Sequence, residues 1–447
     1  MKEVRKPELI ICAVGTLAML FFFAKWWIED TPGVFLSSIA ACASMILFTL
    51  ICLFAVCQLF ASFRTPPAGV DTGETPRFAH LRVAALCLLS LVIHILIVSL
   101  IRVQDHRSDD IIKAISDAYR SLDTPHYFDI ARVGYTTMED GQVLNLVFFP
   151  GYPVVVGLLL LIIPNEMVCG LIASWVPFII GCVVLYELLR LDYPHKTCMR
   201  VLLLLCLLPA AVFYSYPMSE SIFLLWIAAC LYCARTRRWF AASVWGMLAA
   251  FTRSAGVLIL LPMGIEWLWQ VIGDADRRKN RRAWLLNLLY MAIVPLGIAL
   301  YLHINATVTG SPLTFLEYQR DHWHQSLNWF FTTTATQVSY AWNQFATKNT
   351  NFWGLWVPNI VVGFGSMALM LASIGKIRLS YTAWFIPYFF ICYGASWLLS
   401  GPRYMTVFFP LAIALEVLPK HKWIAPVICG LLSVCYCFAF ALRWGVW

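Results

Sequence analysis

Long apolar runs alternate with short polar connectors from one end of the chain to the other. Thirteen runs read as membrane helices, near 8–28, 34–62, 81–101, 166–189, 200–217, 219–234, 238–252, 254–271, 284–303, 352–374, 380–399, 404–418 and 422–442. A helix of about 20 apolar residues crosses a hydrocarbon core roughly 30 Å thick. No period-two alternation marks a barrel, and lipid accepts only helices or closed barrels as spanning structures. The pattern predicts an all-α, polytopic membrane protein. One further run, 153–163, is short and bounded by prolines, which predicts an interfacial helix in place of a span.

The connectors divide by charge. If 153–163 does not cross, Lys2, Arg5, Lys6, Arg64, Arg77, Arg82, Arg190, Lys196, Arg200, Arg235, Arg237, Arg238, Arg277, Arg278, Lys279, Arg281, Arg282, Lys376, Arg378, Lys420 and Lys422 share one side. The other side takes the acidic turn Glu29–Asp30, the loops 102–152 and 304–351, and the turns at Tyr216–Glu220 and Ser400–Arg403. Basic connectors stay cytoplasmic, so the amino terminus is expected inside and the large loops outside. The 153–163 segment then becomes an external juxtamembrane helix.

Composition agrees with that reading. Of 447 residues, 61% are hydrophobic and 13% charged, against about 25% charged in soluble domains. The net charge of +8 lies in connectors, so it marks topology, and nucleic acid is not an expected partner. Most of the 15 cysteines, including Cys12, Cys42, Cys87 and Cys206, lie within apolar runs, where they act as small hydrophobes. The CxxC pair Cys230 and Cys233 has no second pair or histidine to complete a metal set. The start has a long apolar run and no small-residue cleavage site, predicting a retained first helix. A Pro/Gly/Thr-rich linker at 64–80 separates a two-helix hairpin and linker, 1–75, from a core over 76–447; the hairpin reads as an accessory anchor.

Chemistry concentrates in Leu122–Pro153, LDTPHYFDIARVGYTTMEDGQVLNLVFFPGYP. Eight acids lie between 102 and 152: Asp105, Asp109, Asp110, Asp117, Asp123, Asp129, Glu139 and Asp140. Asp123 differs in its neighbours, Pro125, His126, Tyr127 and Phe128, with Gly134 and Tyr135 beyond. An acid among aromatics at a membrane surface loses water, which suits it to accept a proton; Asp129 is an alternative or partner. Phe148 to Pro153, with Phe149 and Tyr152, is a rigid aromatic turn that serves either as helix entry or as a substrate platform. Glu220 begins a helix after Ser219, where capping is the ordinary explanation. Arg253 and Arg403 stand at helix junctions and need anionic partners. Guanidinium groups bind phosphate in pairs of hydrogen bonds, and pairing with Glu220 or the loop acids is the other possibility. His94 reads as a helix–helix hydrogen bond. Glu187, Glu266 and Glu416 fall near helix ends and are expected to reach the interface. His322 and His324 lack a third metal ligand, and Asn305-Ala306-Thr307 is a glycosylation sequon close to a helix end.

Taken in order, these pieces resemble the PIG-V-like mannosyltransferases of the GT-C class of membrane glycosyltransferases, from about residue 81 onward. Asp123-x-x-His126-Tyr127 with Gly134-Tyr135 is similar to the family's first-loop pattern WD-x-x-HY…GY, and Phe148 to Pro153 to its FFP-x-YP element. Tyr216-x-x-Ser219-Glu220-Ser221, Thr252-Arg253-Ser254-x-Gly256, Gly310-Ser311-Pro312-Leu313-x-Phe315 with Gln319 and Trp323, and Pro402-Arg403-Tyr404 follow. The resemblance implies inverting transfer of a sugar, mannose foremost, from a polyprenyl-phosphate donor to the hydroxyl of a glycan or glycolipid acceptor at the outer face. It implies Asp123 as general base and arginines stabilising the leaving lipid phosphate, with Arg403 the stronger candidate beside Arg253. It also implies His126, Tyr127, Tyr135, Phe149, Tyr152, Glu220, Gln319, Trp323 and Tyr404 around the substrates. No cofactor beyond the donor is expected, and a divalent cation is left open.

The chain departs from the pattern in three places. Leu122 stands where the family has tryptophan, Gln142 and Asn145 occupy a region expected to hold an acid, and Ala255 replaces an asparagine. The reaction class survives these changes better than the identity of the sugar. A lipid-linked sugar transporter or flippase is the rival of another class, and an inactive scaffold a third. Short loops favour a bacterial cell membrane, with the endoplasmic reticulum membrane as the alternative.

Overall fold

The computed structural model of the protein describes residues 6–29, 35–64, 67, 72–105, 107, 109–136, 142–276 and 278–446. Lys2, Arg5, Asp30, Glu139, Asp140, Arg277 and most of the 65–71 linker lie outside the described residues. Among the described residues the chain is all-helical, with one isolated bridge between Leu327 and Ala395 and no strand. Seven helices there are long and apolar enough to cross a membrane: Phe35–Arg64, Ala79–Gln104, Glu166–Arg190, Ser254–Gly273, Arg281–Thr309, Phe352–Ser373 and Ile424–Ala441. That set is compatible with a multi-pass membrane protein.

Lys6–Glu29 and Trp239–Thr252 match their expected runs, whereas several other apolar stretches hold helix that is broken near prolines. The expected 200–217 run is a helix His195–Leu207 and a separate turn Ala211–Ser215. Leu208 takes an extended ψ of 148° because the ring of Pro209 disfavours the helical region before it. The expected 380–399 helix ends at Tyr393, and 404–418 divides into Gly401–Thr406 and Pro410–Val417. Gly151–Leu160 has ten residues, a rise of about 15 Å, too short to cross.

Four helices lie inside what the sequence presents as loops. Ile111–Tyr119 is capped by Asp110, whose carboxylate accepts from the Lys113 amide at 2.8 Å. Thr124–Val133 starts with Pro125 in its first turn, where a missing amide costs nothing. Thr314–Trp323 and Phe330–Ala346 occupy the expected external loop 304–351. That expectation is corrected for Phe330–Ala346: its first residue packs on Phe48 and Phe389, with ring centroids 4.6 and 5.8 Å apart. The segment is polar enough in Thr and Gln to read as a loop, yet Thr333, Thr334 and Gln337 are buried against protein. Phe35–Arg64 belongs to the same core, to which it contributes Ala41, Met45, Phe48 and Ile51.

The sequon, expected close to a helix end, lies within Leu296–Thr309, where Asn305 is buried and donates to the Tyr301 carbonyl at 2.9 Å. His94 Nδ1 donates to the Ser90 carbonyl at 2.8 Å and Nε2 meets the Ser433 hydroxyl at 3.1 Å, joining two helices as expected. Small residues let helices meet closely: a Cβ on Gly297 would fall 2.2 Å from the Met247 carbonyl oxygen.

One end of the bundle is closed by a charge-balanced ionic square. Arg235 grips Asp192 at 2.5 and 2.8 Å, and Arg378 grips Glu266 at 2.5 and 2.6 Å. Arg378 also reaches Asp192 at 3.4 Å, and the Ser380 hydroxyl donates to Glu266 at 2.7 Å. Glu266 is thus enclosed by protein, and so is Glu416, which is buried against Arg200 at 2.7 Å. Long guanidinium arms reach in to both acids and neutralise them there. Replacing Glu266 by glutamine leaves two arginines on one acid and is expected to cost about 3–5 kcal/mol. Thermal unfolding of the detergent-solubilised protein measures this, with Gly264→Ala on the same helix as the neutral control, since the nearest atom to its new Cβ is 4.0 Å away.

Candidate functional site

At the opposite end of the bundle, four charged side chains form an alternating chain. Arg403 holds Asp123 Oδ2 through Nη1 at 2.6 Å and Glu220 Oε1 through Nε at 2.5 Å. The same Glu220 oxygen accepts from Arg253 Nη1 at 2.6 Å. Side-chain exposure runs 29% for Asp123, 5% for Arg403, 0% for Glu220 and 15% for Arg253. The middle is sealed and both ends are open. Burial of so much charge is tolerable because signs alternate and each guanidinium donates along the chain. Glu220 Oε2 is nonetheless buried without a partner, so the chain is not saturated.

Each member sits at an irregular point of the backbone. Leu122, just before Asp123, has φ of 57°, a left-handed conformation that strains a branched residue. It turns the chain so that Asp123 begins the Thr124–Val133 helix without capping it. Thr124 anchors that start by donating to the Pro217 carbonyl at 3.2 Å. Ser219 precedes Glu220 but its hydroxyl makes no capping bond, contrary to the capping expectation. It faces Tyr127 and Arg253 instead, at 3.3 and 3.2 Å. Arg253 ends Trp239–Thr252 in extended conformation and lies over the rings of Tyr404 and Phe223, 5.5 and 5.9 Å from their centroids. Such stacking suits a guanidinium that is short of water.

Arg403 owes its place to a stretch without helix between Tyr393 and Gly401. Backbone groups there would be unsatisfied at depth, and side chains of Phe330–Ala346 and Val357–Ser373 take them up. Thr333 donates to Ala395 O at 3.1 Å, and Gln337 and Asn359 donate to Leu398 O at 3.0 and 2.9 Å. Asn359 also accepts from the Gly401 amide at 3.1 Å and takes a bond from Tyr393 at its own carbonyl at 3.3 Å. Two residues later comes Arg403, over the Phe213 ring at 5.0 Å.

Aromatic groups wall the open end beside Asp123. His126 stacks on Phe148 with centroids 4.6 Å apart, and its Nδ1 meets Asn145 Oδ1 at 2.8 Å. Phe148 meets Tyr127 and Trp323 edge-on, at 5.6 and 6.1 Å. Tyr135 pins the turn by donating to Phe148 O at 2.6 Å. Burial pushes the Tyr127 phenol far above its usual range, so it remains a donor, here to Ser219. Gly151 docks the aromatic turn on the Arg253 junction: a Cβ there would fall 2.3 Å from Thr252 Oγ1.

The structure brings together Asp123, His126, Tyr127, Glu220, Arg253, Trp323, Arg403 and Tyr404. It does not bring Tyr152 to an open surface. That ring is buried, and its hydroxyl is held by Gly170 O at 3.0 Å and Ser174 at 3.1 Å. Phe149 stacks on Tyr301 at 4.0 Å, and Gln319 donates to Gln325 at 3.3 Å. Both brace the frame, as Tyr135 does. Asn359 is a contributor that sequence reasoning does not single out, and Ser219 and Asn145 hold places here that it does not assign them. Asn145 was legible as the amide in place of an expected acid, while Asn359 carried no signal. Among the described residues, no three His, Cys, Asp or Glu side chains gather as a metal set, and both carboxylates described here already face guanidinium.

No protein-family model, curated protein or solved structure matches this chain. The bonding around Gly401 leads to a direct expectation. Asn359→Leu strips the Gly401 amide of its acceptor, which costs about 2–3 kcal/mol and lets the Arg403 segment shift. A lowered melting temperature checks the first effect, and faster hydrogen exchange at 398–404 the second.

Proposed function

We propose that the protein is a membrane glycosyltransferase of the GT-C kind, similar in plan to the PIG-V-like mannosyltransferases. It moves a sugar, with mannose as first candidate, from a polyprenyl-phosphate donor to an acceptor hydroxyl, with inversion. In this reading about thirteen spans cross the membrane, the amino terminus is cytoplasmic, and the site opens on the outer face. The observation that carries it is the chain Asp123–Arg403–Glu220–Arg253, two acids and two arginines of which Asp123 and Arg253 are partly open.

The chemistry asked of these groups is modest. The acceptor oxygen attacks the anomeric carbon, its proton goes to the Asp123 carboxylate, and the bond to the phosphate oxygen breaks with its electron pair. Negative charge grows on the lipid phosphate, where Arg403 and Arg253 stabilise it. Without donor, Arg403 occupies Asp123 Oδ2. An incoming phosphate competes for that same Nη1, while Glu220 keeps hold of Nε. Donor arrival therefore frees the base, so that Asp123 becomes available only when there is a sugar to transfer. His126 and Trp323 supply aromatic faces for the acceptor or the sugar ring.

The test uses protein in lipid with polyprenyl-phosphate sugars labelled in the sugar. Asp123→Asn is expected to lower transfer or donor hydrolysis by about 10²- to 10⁴-fold, the usual contribution of a general base. Equal rates in both proteins would remove Asp123 from the role. Movement of donor across the bilayer without transfer would make the protein a flippase. Arg403→Ala should weaken donor binding by at least about tenfold, measured by displacement of a labelled donor. Unchanged affinity would leave Arg403 with the ion pair alone.

A further inference from the structure

The short helix Thr124–Val133 has Asp123 before its first turn and Arg132 near its last, about 14 Å apart at 1.5 Å per residue. Beyond that far end lies a groove of about 620 Å³, lined by Arg120, Arg132, Gly157, Leu161, Pro164 and Glu166 among others. Its polar part is an arginine–glutamate–arginine cluster. Arg120 reaches Glu166 at 3.1 Å and Arg132 at 3.3 Å, and Arg132 also bonds Asp129 at 2.6 Å. The arginines are more than half exposed and the glutamate is 16% exposed, so the acid forms the floor and the cations the rim. Glu166 is not needed to cap its helix, because Asn165 accepts from the Val168 amide at 3.1 Å.

The groove also has an apolar continuation. Val154, Leu158 and Leu161 are exposed at i, i+4 and i+7 of the Gly151–Leu160 helix and its end, and Leu161 and the adjoining Ile162 are 82% and 81% exposed. Such residues beside a charged cluster belong where acyl chains meet headgroups.

From this arrangement we infer that the groove is a seat for a phospholipid carrying a primary amine, an ethanolamine-type headgroup. The two guanidinium groups take the phosphodiester oxygens, Glu166 takes the ammonium, and the acyl chains follow the exposed stripe. The balance of two cations and two acids favours a zwitterion over a purely anionic lipid. The seat is independent of the proposed transferase site and does not rest on that reading.

The protein, purified and equilibrated with equal parts of phosphatidylethanolamine, phosphatidylcholine and phosphatidylglycerol, is read by native mass spectrometry for lipid retained. Ethanolamine lipid is expected to exceed choline lipid by about tenfold, the worth of one charge-assisted hydrogen bond. Mono-, di- and trimethylated headgroups on the unmodified protein should fall off in that order as donor hydrogens disappear. Glu166→Gln should erase the ethanolamine preference, and Arg120→Ala with Arg132→Ala should release all three lipids. Equal retention of the methylated series, or a preference that survives Glu166→Gln, overturns the inference. So does displacement of the ethanolamine lipid by polyprenyl phosphate, which would make the groove part of a donor site.

Discussion

The sharing of one Glu220 oxygen between Arg253 and Arg403 is the contact on which the rest of this end depends. A carboxylate with no exposure is stable only where cations reach it, and two do, from helix junctions far apart in the chain. Those junctions cannot relax into continuous helix without withdrawing a guanidinium from a buried acid. The irregular backbone at 252–254 and 394–400 is thus maintained by charge. Asp123 then joins as the outermost member, held by an arginine whose position is already determined.

Irregular backbone at such depth has its own requirement, that every amide and carbonyl find a partner. Thr333, Gln337 and Asn359 meet it for the stretch before Arg403. This explains why a segment as polar as Phe330–Ala346 is packed against Phe48 and Phe389. Thr333, Thr334, Thr336 and Gln337 are addressed to backbone, and Phe330 and Phe331 to the core. The two ends of the bundle use one principle for different ends. The square of Asp192, Arg235, Glu266 and Arg378 is closed, each guanidinium gripping an acid with two bonds, whereas the Asp123–Arg253 chain is linear and leaves its terminal groups reachable.

Hydropathy and charge along the chain are enough to read the helical class, the positions of the long apolar helices and the short helix near 153–163. These are local properties, decided by how twenty neighbouring residues divide between lipid and water. Asp123, Glu220, Arg253 and Arg403 also stand out locally, as charged residues in apolar or aromatic settings. Which acid meets which arginine is not local, because it depends on how helices distant in the chain pack. Tertiary structure alone decided that Arg403 bridges Asp123 and Glu220, that Tyr152 turns into the core, and that Asn359 holds the Gly401 amide. Sequence encodes the demand of each buried charge for a partner, and packing chooses the partner.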